Sequence, residues 1–292
     1  MKRFVFGTWR DWNWLGMDPD FNEWLKLILR WVHVFASIMW VGTTYFFTWL
    51  DGRFVELEGL AKNAPKAAGN EEKEVWMVHS GGFYRVEKQK RPNVMPEKLH
   101  WFRWEAAITW ISGLLLFVMV YYHGGLMVSL EDARLSPAAA AWLSMGLIVI
   151  SVPLYDVIWF KLLKNDTIGV VVSFVLVIAL AWFLCRYFTG RAAYLQLGAM
   201  FGTIMTANVW MRILPAQRRM VAALKEGKEP NQMEAARAKT SSKHNTFLVV
   251  PAVVIMISNH FPTITYGQRY NWIILSGLVL SGWIAAKFIR RA

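Results

Sequence analysis

The chain carries six histidines, and four of them, His33, His100, His244 and His260, fall within or beside long uncharged stretches. An imidazole in lipid is costly without a partner, and its neutral nitrogen is a good axial ligand for haem iron. Their positions suggest two layers, His33 with His260 toward the outer side and His100 with His244 toward the inner. Paired histidines on different helices at two depths are what a transmembrane di-haem electron carrier requires. His244 and His260 are 16 residues apart, or ~24 Å along a helix, close to a bilayer thickness. The same 16 residues turn a straight helix by ~1600°, which points the two rings to nearly opposite faces. A kink or other partners are then required. The alternative, that these imidazoles cap helix ends or bond nearby carbonyls, stays open. His123, beside Gly124 and Gly125, reads as a turn residue.

A second set gathers at the ends of the same stretches: Asp51, Arg103, Glu105, Asp156, Lys161 and Arg212. The planar donor fork of an arginine can grip a flat anion, and a nearby carboxylate can move protons. Arg103 and Arg212 are the candidate grips, Glu105 and Asp51 the candidate proton carriers. Snorkelling and interhelical salt bridges are the competing explanation for all of them, and the only one for Arg30 and Arg186.

The elements that would position these residues follow from composition. Of 292 residues, 55% are hydrophobic, 18% charged and 15% aromatic, with 17 tryptophans, whereas a soluble chain carries about 25% charged residues. Seven stretches lack Asp, Glu, Lys and Arg: 31–50, 106–130, 135–155, 167–185, 192–211, 245–268 and 270–286. Each is close to the ~20 residues that cross a bilayer core. The expected fold is an all-α, seven-span membrane bundle forming one integral membrane domain, 1–292.

The net charge of +12, from 32 basic and 20 acidic residues, reflects topology rather than nucleic-acid binding. Arg53, Arg85, Lys88 and Lys98 lie in segment 51–98, and Arg218, Arg219, Lys225 and Lys239 in segment 215–243. Both segments read as long cytoplasmic loops by the positive-inside rule, which puts the N-terminus outside and the C-terminus inside. The remaining basic excess suits an anionic inner leaflet. Segment 1–23 lacks the apolar core of a signal peptide and reads as an outer interfacial segment. His79-Ser-Gly-Gly-Phe-Tyr84 could bring backbone N–H groups to an anion or form a tight turn. Pro153 and Pro251 should kink their helices and open room, and Gly198 with Gly202 should let helices approach. The single cysteine, Cys185, reads as packing.

The segments holding these residues resemble a known family, the membrane-integral N-terminal domain of bacterial urate hydroxylase. The resemblance is carried by Arg30-Trp-Val-His33, by Phe46-Phe-Thr-Trp-Leu-Asp51 and by His79-Ser-Gly-Gly-Phe-Tyr84. It continues in Met95-Pro-Glu-Lys-Leu-His100-Trp-Phe-Arg103-Trp-Glu105, Gly198-Ala-Met-Phe-Gly202, Gln217-Arg-Arg-Met-Val221, His244-Asn-Thr246 and Ile257-Ser-Asn-His260-Phe-Pro262. It implies oxidation of urate, or a similar planar anion, to 5-hydroxyisourate in the bacterial cytoplasmic membrane. Water supplies the oxygen, and electrons pass through one or two haem b groups held by His33, His100, His244 and His260. Full-length members add a span and a cytochrome c. This sequence has one cysteine and no C-x-x-C-H, so a separate cytochrome c or quinone is the expected acceptor. A di-haem b-type electron-carrier subunit without substrate chemistry is the second expectation, and a purine transporter a third.

Overall fold

The computed structural model describes residues 19–290 apart from 64–73, 90–91, 93–94, 130, 132–133 and 164. Most of the expected outer segment, with Trp9, Trp12 and Trp14, lies outside the described residues, as do Lys66 and Lys73. The architecture is helical: α1 (Pro19–Asn63), α2 (Trp104–Phe117), α3 (Pro137–Asp156), α4 (Asp166–Tyr187), α5 (Gly190–Ala207), α6 (Leu214–Lys225), α7 (Gln232–Ile257) and α8 (Asn271–Ile289). The one departure from all-α among the described residues is a hairpin, β1 (Glu74–His79) with β2 (Gly82–Glu87).

Six helical stretches are long and apolar enough to cross a membrane: Asp20–Gly59, Trp104–His123, Pro137–Leu162, Asp166–Tyr187, Gly190–Lys225 and Asn271–Ile289. The seventh expected span does not reach that standard. Helix α7 begins at Gln232, so its first half is polar, and its apolar half ends at Ile257 in the 3₁₀ turns Ser258–His260 and Pro262–Ile264. His244 therefore sits well inside a helix rather than at its start. His100 likewise does not begin α2, which starts four residues later at Trp104.

Within segment 51–98, expected as a loop, the described residues include regular structure. α1 runs unbroken through Asp51 to Asn63, and the hairpin packs Val75 against Leu50 and Phe54 of that extension. The His79–Gly82 turn has positive φ at Ser80 (48°) and Gly81 (77°), the backbone of a tight hairpin turn. The turn interpretation thus accounts for the glycines. Segment 215–243, the other expected loop, is mostly α6 and the polar start of α7.

Local chemistry starts most of these helices. Ser136, Asn165, Thr189 and Asn231 cap α3, α4, α5 and α7 by accepting first-turn backbone N–H bonds. Cross-helix bonds then fix direction. Ser144 meets Gln196, and Tyr155 meets Asn208, so α3 and α5 run parallel. Asn208 bonds Asn245 while Arg191 bonds Asn259, so α5 and α7 are antiparallel. Pro251 leaves no room of the kind expected, because Gly282 of α8 fills it: a Cβ there would stand 2.8 Å from Pro251 N. Gly198 does permit close approach, with Ile255 Cγ2 3.2 Å from its would-be Cβ, whereas Gly202 has nothing within 4 Å.

Candidate functional site

Helices α2, α3 and α5 each end in a π-helical turn: Val118–His123, Val157–Leu162 and Asn208–Ile213. Such turns re-aim side chains and recur at functional sites. The turns after α3 and α5 face each other at one end of the bundle, and a polar network joins them. Arg212 donates from Nη1 to Asn208 Oδ1 at 2.7 Å and from Nη2 to Asp156 Oδ1. Its guanidinium lies 5.4 Å from the Tyr155 ring and 5.7 Å from the Phe160 ring.

The direction of donation at Asn208 is fixed, because an arginine can only donate. Asn208 Oδ1 is therefore the acceptor, and its Nδ2 is turned to Asn245 Oδ1 at 2.8 Å and to Tyr155 Oη at 3.4 Å. Asn245 in turn gives its Nδ2 hydrogen to the Met205 carbonyl at 3.0 Å. Tyr155 Oη accepts from Asn208 and lies 2.7 Å from His244 Nδ1, a bond in which either group can donate. His244 packs against Trp159 with ring centroids 4.3 Å apart. Asn208, Asn245 and Tyr155 were absent from the sequence candidates. Uncharged polar residues inside apolar runs give no signal in a charge count.

At His33 the neighbouring acceptor fixes the tautomer. Its Nδ1 lies 2.8 Å from the Thr109 carbonyl oxygen, which can only accept, so Nδ1 holds the proton and Nε2 the lone pair. Ser112 Oγ sits 3.4 Å from the same nitrogen and spends its own hydrogen on the Ile108 carbonyl.

His33 and His260 do not form the expected outer layer. His33 contacts α2 at Thr109 to Gly113, and Trp110 in that stretch bonds Thr203 of α5. Thr203 lies 12 residues beyond Arg191, or ~18 Å along the helix, and Arg191 bonds Asn259 beside His260. His33 and His260 are thus at different depths. His100 is exposed with its ring 4.5 Å from Phe102, which meets Phe47 of α1 at 5.1 Å. His244 faces α3 instead. No group of three or more His, Cys, Asp or Glu that could hold a metal ion occurs among the described residues.

The charged set separates similarly. Asp156 and Arg212 pair with each other, and Asp51 pairs with Lys88 beyond β2 at 2.5 Å. Arg103 sits at the N-cap of α2, where its side chain accepts no bond and the first-turn N–H groups are left without a side-chain cap. Its guanidinium lies 5.3 Å from the Trp104 ring, and Trp104 meets Trp210 at 6.0 Å. Among the described residues Arg103 has no carboxylate partner. Glu105 enters a groove of about 440 Å³ between α1 and α2, lined otherwise by Trp31, Val32, Phe35, Ala36, Met39, Trp104 and Ile108. Lys161 lies in the π turn after α3.

Arg103 therefore offers a free guanidinium, open helix N–H groups and flat aromatic faces in one place, the recognition chemistry of a planar anion. The family described as urate oxidase N-terminal matches the chain over residues 19–292. The chain belongs to the urate oxidase N-terminal family. That match takes in every described residue of the site, from His33 to His260. No curated protein and no solved structure matches the chain.

In this urate oxidase family member, the haem expectation divides by histidine. His33 fits an axial ligand, since a second bond fixes its tautomer and leaves the Nε2 lone pair available. His244 is likewise held at Nδ1, by Tyr155 Oη. His100 and His260 are exposed, and neither has a hydrogen-bond partner among the described residues.

Proposed function

We propose that the protein is a membrane-bound urate hydroxylase of the bacterial cytoplasmic membrane. It converts urate to 5-hydroxyisourate, takes the oxygen from water and passes two electrons to an acceptor other than oxygen. The observation that carries this reading is the family match along 19–292. The Arg103 site is where a planar anion finds donors without displacing an existing ion pair.

The proposed topology has seven crossings, with α7 completing the set. α7 runs antiparallel to α5, and Arg290 at the end of α8 bonds Thr246 near the polar half of α7. An α7 that crosses with its 3₁₀ turns restores an odd number of spans. The basic α6 and the Lys287 end of α8 then share the cytoplasmic side.

In this reading Arg103 and the α2 N-terminus bind and orient the urate anion at the cytoplasmic side. Glu105, in its apolar groove, is the carboxylate that takes up protons as water adds, whereas Asp51 is held by Lys88 beside the hairpin. His33 is the residue that would hold a haem, and such a group supplies one-electron acceptance. Asp156 and Arg212 shape the site and do not bind substrate, because they already neutralise each other.

The test uses membranes expressing only this chain, given urate, heavy-oxygen water and either oxidised cytochrome c or a quinone analogue. Labelled 5-hydroxyisourate is the expected product. Arg103→Ala should raise KM about tenfold, the loss of one charge-assisted bond. Glu105→Gln should lower kcat more than KM. Absence of urate turnover with every acceptor would sink the reading.

A further inference from the structure

A cleft of about 810 Å³ lies between α3, α4, α5, α7 and α8, within the ~300–1,000 Å³ span of pockets that hold small molecules and cofactors. Its wall is apolar along most of its length, with Leu147, Leu154, Val170, Leu176, Leu248 and Ile284 facing it. Its charged groups and His244 gather at one end. Lys243 bonds Asp166, the first residue of α4, at 3.1 Å, and Lys287 stands in the last turn of α8. At the same end His244 borders the cleft, its Nδ1 engaged by Tyr155.

We propose that this cleft binds an isoprenoid quinone and that the quinone is the electron acceptor. Three features of the rim select that class. Lys287 has no ion-pair partner among the described residues and can only donate, and His244 donates from Nε2 in the tautomer in which Tyr155 donates to Nδ1, which suits carbonyl oxygens that only accept. Trp159 and Trp283 give the head end flat faces, which suits a ring better than a phosphodiester. Lys243 and Asp166 cancel, so the rim holds one net positive charge, weak attraction for an anionic headgroup. The apolar wall takes the hydrocarbon tail.

This inference rests on the urate reading for its electrons. Urate and water give 5-hydroxyisourate, two protons and two electrons, and the quinone takes up two of each to become quinol. His244 gives its Nε2 proton to one carbonyl oxygen and receives one at Nδ1 from Tyr155, which recovers its own from solvent. The second carbonyl is protonated by water at the rim. Tyr155 and His244 form the proton path, with Arg212 beside the transient phenolate.

The experiment titrates the full chain, in vesicles of neutral phosphatidylcholine and without urate, with decylubiquinone. Tryptophan quenching reads binding, and an azido-quinone probe maps the contact. Saturable quenching and label on α4 or α8 are expected. Lys287→Met should weaken binding about tenfold, and Leu176→Trp or Ala179→Trp, each on an exposed position facing the cleft, should abolish it while the protein stays monodisperse. No saturable binding, label confined to α1, α2 or α6, or full displacement by phosphatidylglycerol would overturn the proposal. Binding that persists while urate produces no quinol would overturn the acceptor role. If urate then reduces cytochrome c, the urate reading survives that result, and if it reduces neither, that reading fails separately.

Discussion

The His33 ring lies against Gly113 of α2 so closely that a Cβ on Gly113 would stand 2.7 Å from His33 Cε1. α1 and α2 meet at this point because position 113 has no side chain. Gly113→Ala must push the imidazole off the Thr109 carbonyl, and overpacking of this kind costs about 1–3 kcal/mol. Thermal unfolding in detergent should show that loss, and any haem bound through His33 should lose its reduced spectrum. An unchanged spectrum in a folded Gly113→Ala protein would remove His33 as ligand.

Gly282 presents a similar constraint with a stiffer neighbour. Its would-be Cβ falls 2.8 to 2.9 Å from Pro251 N, Cα and Cδ, atoms of a ring and backbone that cannot rotate away. Gly282→Ala should lower stability by about 1–3 kcal/mol. Gly277→Ala, on the same helix with nothing within 4 Å, should be neutral or raise it by up to about 1 kcal/mol through helix propensity. The two melting curves compared side by side decide whether α8 packs on the Pro251 kink.

Removing either half of the Asp156–Arg212 pair leaves a charge inside the bundle. Arg212 keeps 14% of its side-chain surface and Asp156 36%, so the expected loss is about 2–3 kcal/mol, below the ~3–5 of a fully buried pair. Arg212→Met should cost more than Asp156→Asn, because it also strips Asn208 of its donor. If the chain of donation is as described, Arg212→Met frees Asn208 to flip and loosens the Tyr155–His244 bond, visible as a shifted His244 ring resonance in a labelled sample.

At the hairpin, Gly81 has φ of 77° and Ser80 has φ of 48°. Gly81→Val should destabilise the turn by about 1 kcal/mol, and Ser80→Asn should favour it, since asparagine tolerates the left-handed region. Protease cleavage rates between β1 and β2 provide the measurement, faster for the first variant and slower for the second.

The helical membrane class was readable because charge-free runs of bilayer length survive any arrangement of their neighbours. α7 was misjudged at both ends for a physical reason. A polar start does not stop a helix, so Gln232 to Lys243 continue it, while Pro262 and Gly267 cut short the apolar run after Ile257. Depth along the sequence also says nothing of azimuth. Asp51, Glu105 and Arg212 all fall near span ends, yet Asp51 faces the hairpin, Glu105 the α1–α2 groove and Arg212 the π turn after α3. The Ser144–Gln196 and Asn208–Asn245 bonds were silent because each residue alone is a small polar interruption. Only pairing across helices gives them meaning.

α1 is one helix of 45 residues, ~68 Å long, more than twice the ~30 Å core of a bilayer. A rod of that length acts as a lever. The β1–β2 hairpin grips its far arm at Leu50 and Phe54, while His33 and its bond to Thr109 sit on the near arm. A tilt imposed on the hairpin by anything that docks there therefore arrives at the imidazole without a joint to absorb it. The membrane interior and the surface that carries the hairpin are mechanically one body along this axis.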